Sequence, residues 1–131
     1  LVLLQPTQPL RTGEDIKNAI TLFLENGCKS VTGICETSDP PVLIRTLSDS
    51  RMLGKYLPVT STVRRQDMEK LYKVNGAIYI NLVEEINPNT SFNDNEYGYV
   101  MSRESSVDID EPYDLVIAEA FLRNRLTKDL L

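Results

Sequence analysis

The sequence contains no histidine. That excludes Ser-His-Asp and Cys-His catalysis, imidazole metal ligands and histidine acid/base chemistry. Cysteine is scarce: Cys28 and Cys35 are the whole supply. Two cysteines in 131 residues suggest reduced thiols in a cytoplasmic protein rather than a disulfide framework. Core packing is the ordinary role of such residues, and a reactive thiol is the alternative. No run approaches the roughly 20 apolar residues of a membrane span, and the opening residues do not read as a signal peptide. Positive charge is in the minority. A net charge of −5 argues against a nucleic-acid backbone as partner.

What is present fits one ordinary domain: 131 residues, 41% hydrophobic and 25% charged. The chain opens on "LVLL", residues 1–4, an apolar run that reads as a buried strand. Neither a methionine nor a cap or turn precedes it, which leads us to expect an N-terminal portion beyond these residues. A loop, "QPTQPLRTG", follows. Thr12, with Asp15 three residues on, forms a capping-box pattern. The helix it starts is predicted to run to about Asn26, with Ile16, Ala19, Ile20, Phe23 and Leu24 on one face. Gly27 suits the left-handed position after a helix.

Further on, "KSVTGICET" predicts a strand broken by Asp39-Pro40-Pro41, and "VLIRTL" a possible second one. Residues 48–70 lose clear periodicity and read as an excursion too short to bury a core of its own. Its Met52, Leu53, Tyr56, Leu57 and Val59 call for an interface to cover them. "YKVNGAIYINL" is the strongest strand signal, "VEEI" a short helix and "NPNTSFNDNEYG" a polar loop. "YVM" and "SSVDID" read as extended segments before a last helix begun by Pro112. Strands alternating with helices imply an α/β layer sandwich. Its sheet is expected to be mostly parallel, with antiparallel pairing near Tyr72–Leu82 and ligands at the carboxyl ends of strands.

Three stretches carry candidate chemistry. In a strand, Asp108 and Asp110 would face the same way and repel. A hard divalent cation such as Mg²⁺ would relieve that repulsion. The alternative is that one of them caps the following helix while the other is solvated. In "QPTQPLR", Gln5 offers an amide that both donates and accepts, suited to a polyhydroxylated ligand. The alternative is a rigid loop bonded to its own backbone. In "RRQDMEKLYKVNGAIYI", Arg64, Arg65 and Lys73 concentrate positive charge that could meet a carboxylate, or simply be solvated. Asn75-Gly76 within a strand signals a bulge or the close approach of a ligand.

Taken in order, "LLQPTQPLRTGEDI", "RRQDMEKLYKVNGAIYI" and "YVMSRESSVDIDEPYDLVIAEA" resemble the acylneuraminate cytidylyltransferases, also called CMP-sialic acid synthetases. The likeness covers nearly the whole chain and is weakest from about Leu43 to Val63. The resemblance implies a Rossmann-like mixed, mostly parallel sheet flanked by helices, of the nucleotide-diphospho-sugar transferase type. It implies that residues 1–131 are the C-terminal portion of one such domain, lacking the basic, glycine-containing nucleotide loop, so that the isolated chain would be nearly inactive. A dimerisation excursion is expected at about residues 40–70.

The implied reaction joins CTP to a nine-carbon 2-keto sugar acid and releases pyrophosphate. Asp108 and Asp110 would hold Mg²⁺, and Gln5 would bond the sugar. Arg65 would reach the sugar site of a neighbouring subunit in a homodimer. Lys73 would face the sugar carboxylate where some members have arginine, and Asn75 and Tyr79 would line the pocket. Phe92 matches one of two adjacent aromatics, with Ser91 in place of the other, and Gln8 stands where "QPTSPLR" has serine. Alternatives are another sugar nucleotidyltransferase of the same fold acting on another acidic sugar, or a non-catalytic remnant or assembly module.

Overall fold

Helix α1 forms where its capping signals stand. In the computed structural model, which describes residues 1–37, 39–60, 62 and 68–128, α1 covers Gly13–Glu25. The Asp15 amide donates to Thr12 Oγ1 at 3.0 Å, and the Thr12 amide donates to Asp15 Oδ2 at 2.8 Å. Two of the amides that a helix N-terminus leaves unpaired are thereby satisfied. Gly27, at φ 53°, follows the C-cap in the left-handed region, where the absence of a Cβ removes the steric penalty. Ala19 is fully buried, and Ile16, Ile20 and Phe23 pack with it against the core. Leu24, expected on the same stripe, is 68% exposed, while Leu22 packs inward. These two flank the stripe on opposite sides at 3.6 residues per turn, and periodicity alone does not say which flank the sheet covers.

The main sheet has four strands in the order β1-β5-β2-β6. They are β1 (Val2–Leu3), β2 (Ser30–Glu36), β5 (Tyr72–Asn81) and β6 (Tyr97–Met101). β1 pairs antiparallel with β5, matching Val2 to Ile80 and Leu3 to Tyr79. β2 pairs parallel with β6 from Val31↔Tyr97 to Cys35↔Met101. The sheet is therefore mixed, and with helices α1 and α2 (Pro112–Lys128) the chain is α/β, as expected.

The apolar run at the start is not a buried strand. β1 has only two residues, lies at the sheet edge and is exposed. An apolar run indicates strand preference, but a strand with one neighbour is shielded from one side only. The interior strands are the buried ones: β5 is buried continuously from Asn75 to Asn81, and β2 from Ser30 to Gly33. Val31, Ala77, Ile78, Ile80 and Met101 form the core with Ala19 and Cys28. Cys28 and Cys35 are both buried.

Residues 36–72 form a second compact unit. Within it "VLIRTL" divides into a 3₁₀ turn, Pro41–Leu43, and a three-residue strand, β3 (Arg45–Leu47). β3 pairs antiparallel with β4 (Leu53–Lys55). Met52 and Leu53 are each 71% exposed and Tyr56 is 63% exposed, so this unit does carry the uncovered apolar side chains expected of it. Among the described residues, no helix is long and apolar enough to cross a membrane.

Candidate functional site

The site is built where β5 changes conformation. Gly76 takes φ 77°, a left-handed backbone inside a strand. The side chain of Asn75, the residue before it, is buried. Asn75 Oδ1 accepts from the Ala77 amide at 3.0 Å, and Nδ2 donates to Ser106 Oγ at 2.9 Å and to Met101 Sδ at 3.3 Å. Asn75 thus ties the central strand to the end of β6 and to the 3₁₀ turn Glu104–Ser106. That turn leads directly into Asp108.

The loop after β1 closes over the same bulge. A Cβ on Gly76 would collide with Gln5 Oε1, so the Gln5 amide seats against bare backbone. Arg11 holds the loop shut: its Nη1 donates to the carbonyls of Gln5 at 2.6 Å and Gln8 at 2.8 Å. Charge-assisted bonds of this kind are stronger than neutral ones. Arg125 of α2 reaches the carbonyl of Leu10 at 3.0 Å and Ser105 Oγ at 3.4 Å, fastening the loop and the turn to the last helix.

Asp108 and Asp110 do not lie in a strand. Residues 107–110 belong to no helix or strand, and Val107 has an extended backbone. The Ile109 amide donates to the carbonyl of Thr7 at 2.9 Å, which lays this segment alongside the Gln5–Arg11 loop. The D-x-D spacing was compatible with a strand, but the 3₁₀ turn before it and the helix after it leave no length for one. Asp108 is half-buried, and its Oδ1 is buried without a hydrogen-bond partner, whereas Asp110 is exposed. The capping role falls to another residue. Asp114 Oδ2 accepts from the amides of Asp110 at 3.1 Å and Glu111 at 2.8 Å, at the N-terminus of α2.

Tyr79 and Phe92 form one aromatic wall, with ring centroids 5.9 Å apart and an interplanar angle of 44°. The Tyr79 hydroxyl donates to Asn93 Oδ1 at 2.8 Å. Burial, and then the negative charge of Asp108, push the Tyr79 phenol above its ordinary pKa. Asp108 therefore acts electrostatically on the aromatic wall.

Sequence reasoning missed the clamp that sets this wall. Asn81 Nδ2 donates to Asn95 Oδ1 at 2.8 Å, and Asn95 Nδ2 donates to the carbonyl of Val31 at 2.8 Å and to Asn81 Oδ1 at 3.1 Å. The clamp holds the Phe92–Asp94 turn against the sheet. Its one sequence signal was an amide, Asn81, ending an otherwise apolar run.

The contacts are pairwise: Gln5 lies against Gly76, Asn75 bonds Ser106 at 2.9 Å two residues before Asp108, and Tyr79 packs on Phe92. Lys73 is exposed near the start of β5, and no ion pair among the described residues engages it. Arg65 lies outside the described residues. Among the described residues no group of three or more acidic, cysteine or histidine side chains could hold a metal. Two carboxylates, one with an unpartnered buried oxygen, still fit a hard cation that takes its remaining ligands from water and phosphate oxygens.

No family model matches the chain. It is 34% identical over 116 residues to an N-acylneuraminate cytidylyltransferase of Streptococcus agalactiae serotype V, covering 88% of this chain and 28% of that protein. It is 33% identical over 119 residues to an N-acylneuraminate cytidylyltransferase of Escherichia coli O18:K1:H7, with the same two coverages. With a CMP-N,N'-diacetyllegionaminic acid synthase of Legionella pneumophila it shares 31% identity over 124 residues, 93% of this chain and 53% of that protein. The chain therefore spans between about a quarter and about half of the length of these relatives. Over most of its own length, the chain is a homologue of the acylneuraminate cytidylyltransferases and matches one segment of them.

Proposed function

We propose that this chain carries the sugar-binding and metal-binding part of a cytidylyltransferase that activates a nine-carbon 2-keto sugar acid with CTP. The observation that carries this reading is the placement of Asp108, with its buried unpartnered oxygen, beside the Gln5–Arg11 loop and the Tyr79–Phe92 wall. In the reaction, the anomeric hydroxyl oxygen of the sugar bonds to the α-phosphorus of CTP. The bond from that phosphorus to the bridging oxygen breaks, pyrophosphate leaves and the hydroxyl gives up its proton. Transfer of this kind asks the protein mainly for positioning and for neutralisation of charge.

Gln5 would exchange hydrogen bonds with sugar hydroxyls through the amide that lies against Gly76. Tyr79 and Phe92 would wall the pocket, with Asn75 fixing the bulge beneath it. Lys73, and Arg65 from a neighbouring subunit, would answer the sugar carboxylate. Asp108 and Asp110 would hold Mg²⁺, which when bound supplies Lewis-acid neutralisation of phosphate charge.

The test is an assay of the full-length gene product with CTP, Mg²⁺ and sialic, legionaminic and pseudaminic acids. The expected result is pyrophosphate and a CMP-sugar in equal amounts from at least one acid. No product from any of the three would overturn the sugar assignment.

The exposed apolar side chains of the 36–72 unit support a homodimer. A standard interface buries about 800 Å² per partner, within reach of such a segment. Sedimentation of the full-length gene product at micromolar concentration is expected to give a dimer, and Met52→Asp with Leu53→Asp to give a monomer. A wild-type protein that sediments as a monomer would refute this arrangement.

A further inference from the structure

Tyr79 and Asn81 stand two residues apart in β5, so their side chains share one face of the sheet. Each bonds the same short segment, and each bond spans 14 residues of chain. The Tyr79 hydroxyl donates to Asn93 Oδ1 at 2.8 Å, and Asn81 Nδ2 donates to Asn95 Oδ1 at 2.8 Å. The segment between β5 and β6 is therefore laid along that face in register, Asn93 against Tyr79 and Asn95 against Asn81. The two anchors differ in strength. Asn93 is exposed. Asn95 exchanges a reciprocal pair of bonds with Asn81, which is buried, and also donates to the carbonyl of Val31 at 2.8 Å. Amide bonds to buried groups hold firmly, because breaking one leaves a group without water to replace its partner. The ladder between β6 and β2 begins only at Tyr97, and the Glu96 amide just before it donates to Ser30 Oγ at 3.0 Å. Phe92 lies in the 3₁₀ turn that Asn95 ends: the Asn95 amide donates to the Phe92 carbonyl at 3.4 Å. The anchor and the ring thus belong to one turn.

We propose that Asn95 is the positioning residue for the Phe92 ring. Its bonds to Asn81 and to the Val31 carbonyl fix the turn whose first residue packs on Tyr79 with ring centroids 5.9 Å apart. Asn95 so fixes the wall against which the sugar acid lies, acting through Phe92 and not on the substrate. The inference rests on the reading of Tyr79 and Phe92 as a wall of the sugar pocket, and adds to it the residue, outside the wall, that decides where the wall stands. A wall already in place costs the ligand no ordering of side chains on binding. Loosening it weakens binding of the sugar acid and leaves CTP binding nearly as it was.

Two measurements on the full-length gene product test it. The first needs no substrate: the ¹⁹F spectrum of a fluorine label on the Phe92 ring, compared between wild type, Asn95→Ala and Thr127→Ala. Thr127→Ala removes an exposed hydroxyl bonded to the Arg123 carbonyl in α2 and serves as the control. The proposal expects one narrow signal in wild type and in Thr127→Ala, and a shifted or split signal in Asn95→Ala. A signal unchanged in Asn95→Ala overturns it. If Asn95→Ala does not fold, Asn95→Asp is read in the same way, since it can still accept from Asn81 but has lost both donations. The second is steady-state kinetics with CTP and the sugar acid that wild type turns over. Asn95→Ala is expected to raise KM for the acid about tenfold or more, with kcat and KM for CTP within about threefold of wild type. A fall in kcat at unchanged KM for the acid is what mere loss of folded enzyme gives, and it overturns the positioning role. If no acid is turned over, the sugar reading of the wall fails, and the fluorine signal still decides whether Asn95 positions Phe92.

Discussion

Asp110→Asn is expected to lower turnover of the full-length gene product by about 10²–10³, the usual effect of removing one element of preorganised charge stabilisation. Asp108→Asn should do the same. Asparagine keeps the shape of the side chain but presents a hard cation with one negative ligand fewer. Raising Mg²⁺ should partly restore either variant if metal affinity is what was lost. Fold and stability should change little, because neither carboxylate caps α2.

That role belongs to Asp114, whose Oδ2 accepts from the Asp110 and Glu111 amides. The contrasting variant is therefore Asp114→Ala. It should cost about 0.5–2 kcal/mol of stability, as loss of a helix cap does, and leave the Mg²⁺ dependence of turnover where it was. Turnover within about twofold of wild type in both Asp108→Asn and Asp110→Asn, with unchanged Mg²⁺ dependence, would remove metal-assisted transfer from the proposal.

Gly76→Ala should be the most damaging small substitution in the site. The left-handed backbone at φ 77° costs a residue with a Cβ about 1–2 kcal/mol. The added carbon would also run into Gln5 Oε1, so either Gln5 leaves its seat or the bulge opens. We expect a fall in thermal stability together with a rise of about tenfold or more in KM for the sugar acid, and a smaller change in KM for CTP. Gly13→Ala is the control, because a Cβ there meets nothing within 4 Å and its backbone is helical. A Gly76→Ala protein with wild-type stability and wild-type KM for the sugar acid would show that Gln5 is not held by the bulge. It would also weaken the assignment of Gln5 to the sugar.

Local signals settled much of the architecture before any contact was known. Thr12 and Asp15 set the start of α1 because a capping box is complete within four residues. Pro112 marks the start of α2, and the apolar character of β5 marks the centre of the sheet. Asn75-Gly76 signalled an irregular point in the strand, and Gly76 does take a left-handed backbone there, which glycine adopts without a steric penalty. The three motif stretches also pointed to the family that the sequence comparisons bear out.

Other features depended on partners distant in the chain. Whether "LVLL" lay at the centre or the edge of the sheet was decided by its pairing, among the described residues, with β5 alone. Whether Leu22 or Leu24 turned inward was decided by where the sheet lay against α1. The D-x-D spacing allowed a strand, a cap or a ligand pair. The fold places the pair in an irregular segment beside Thr7, with the Asp110 and Glu111 amides donating to Asp114, and these contacts use backbone groups that the sequence pattern does not display. The Asn81–Asn95 clamp joins residues 14 apart, and the seat of Gln5 against Gly76 joins residues 71 apart in number. A sequence shows which groups can donate and accept. Only the folded chain decides which of them meet, because hydrogen bonds and packing act over a few ångströms of space and not over distance along the chain.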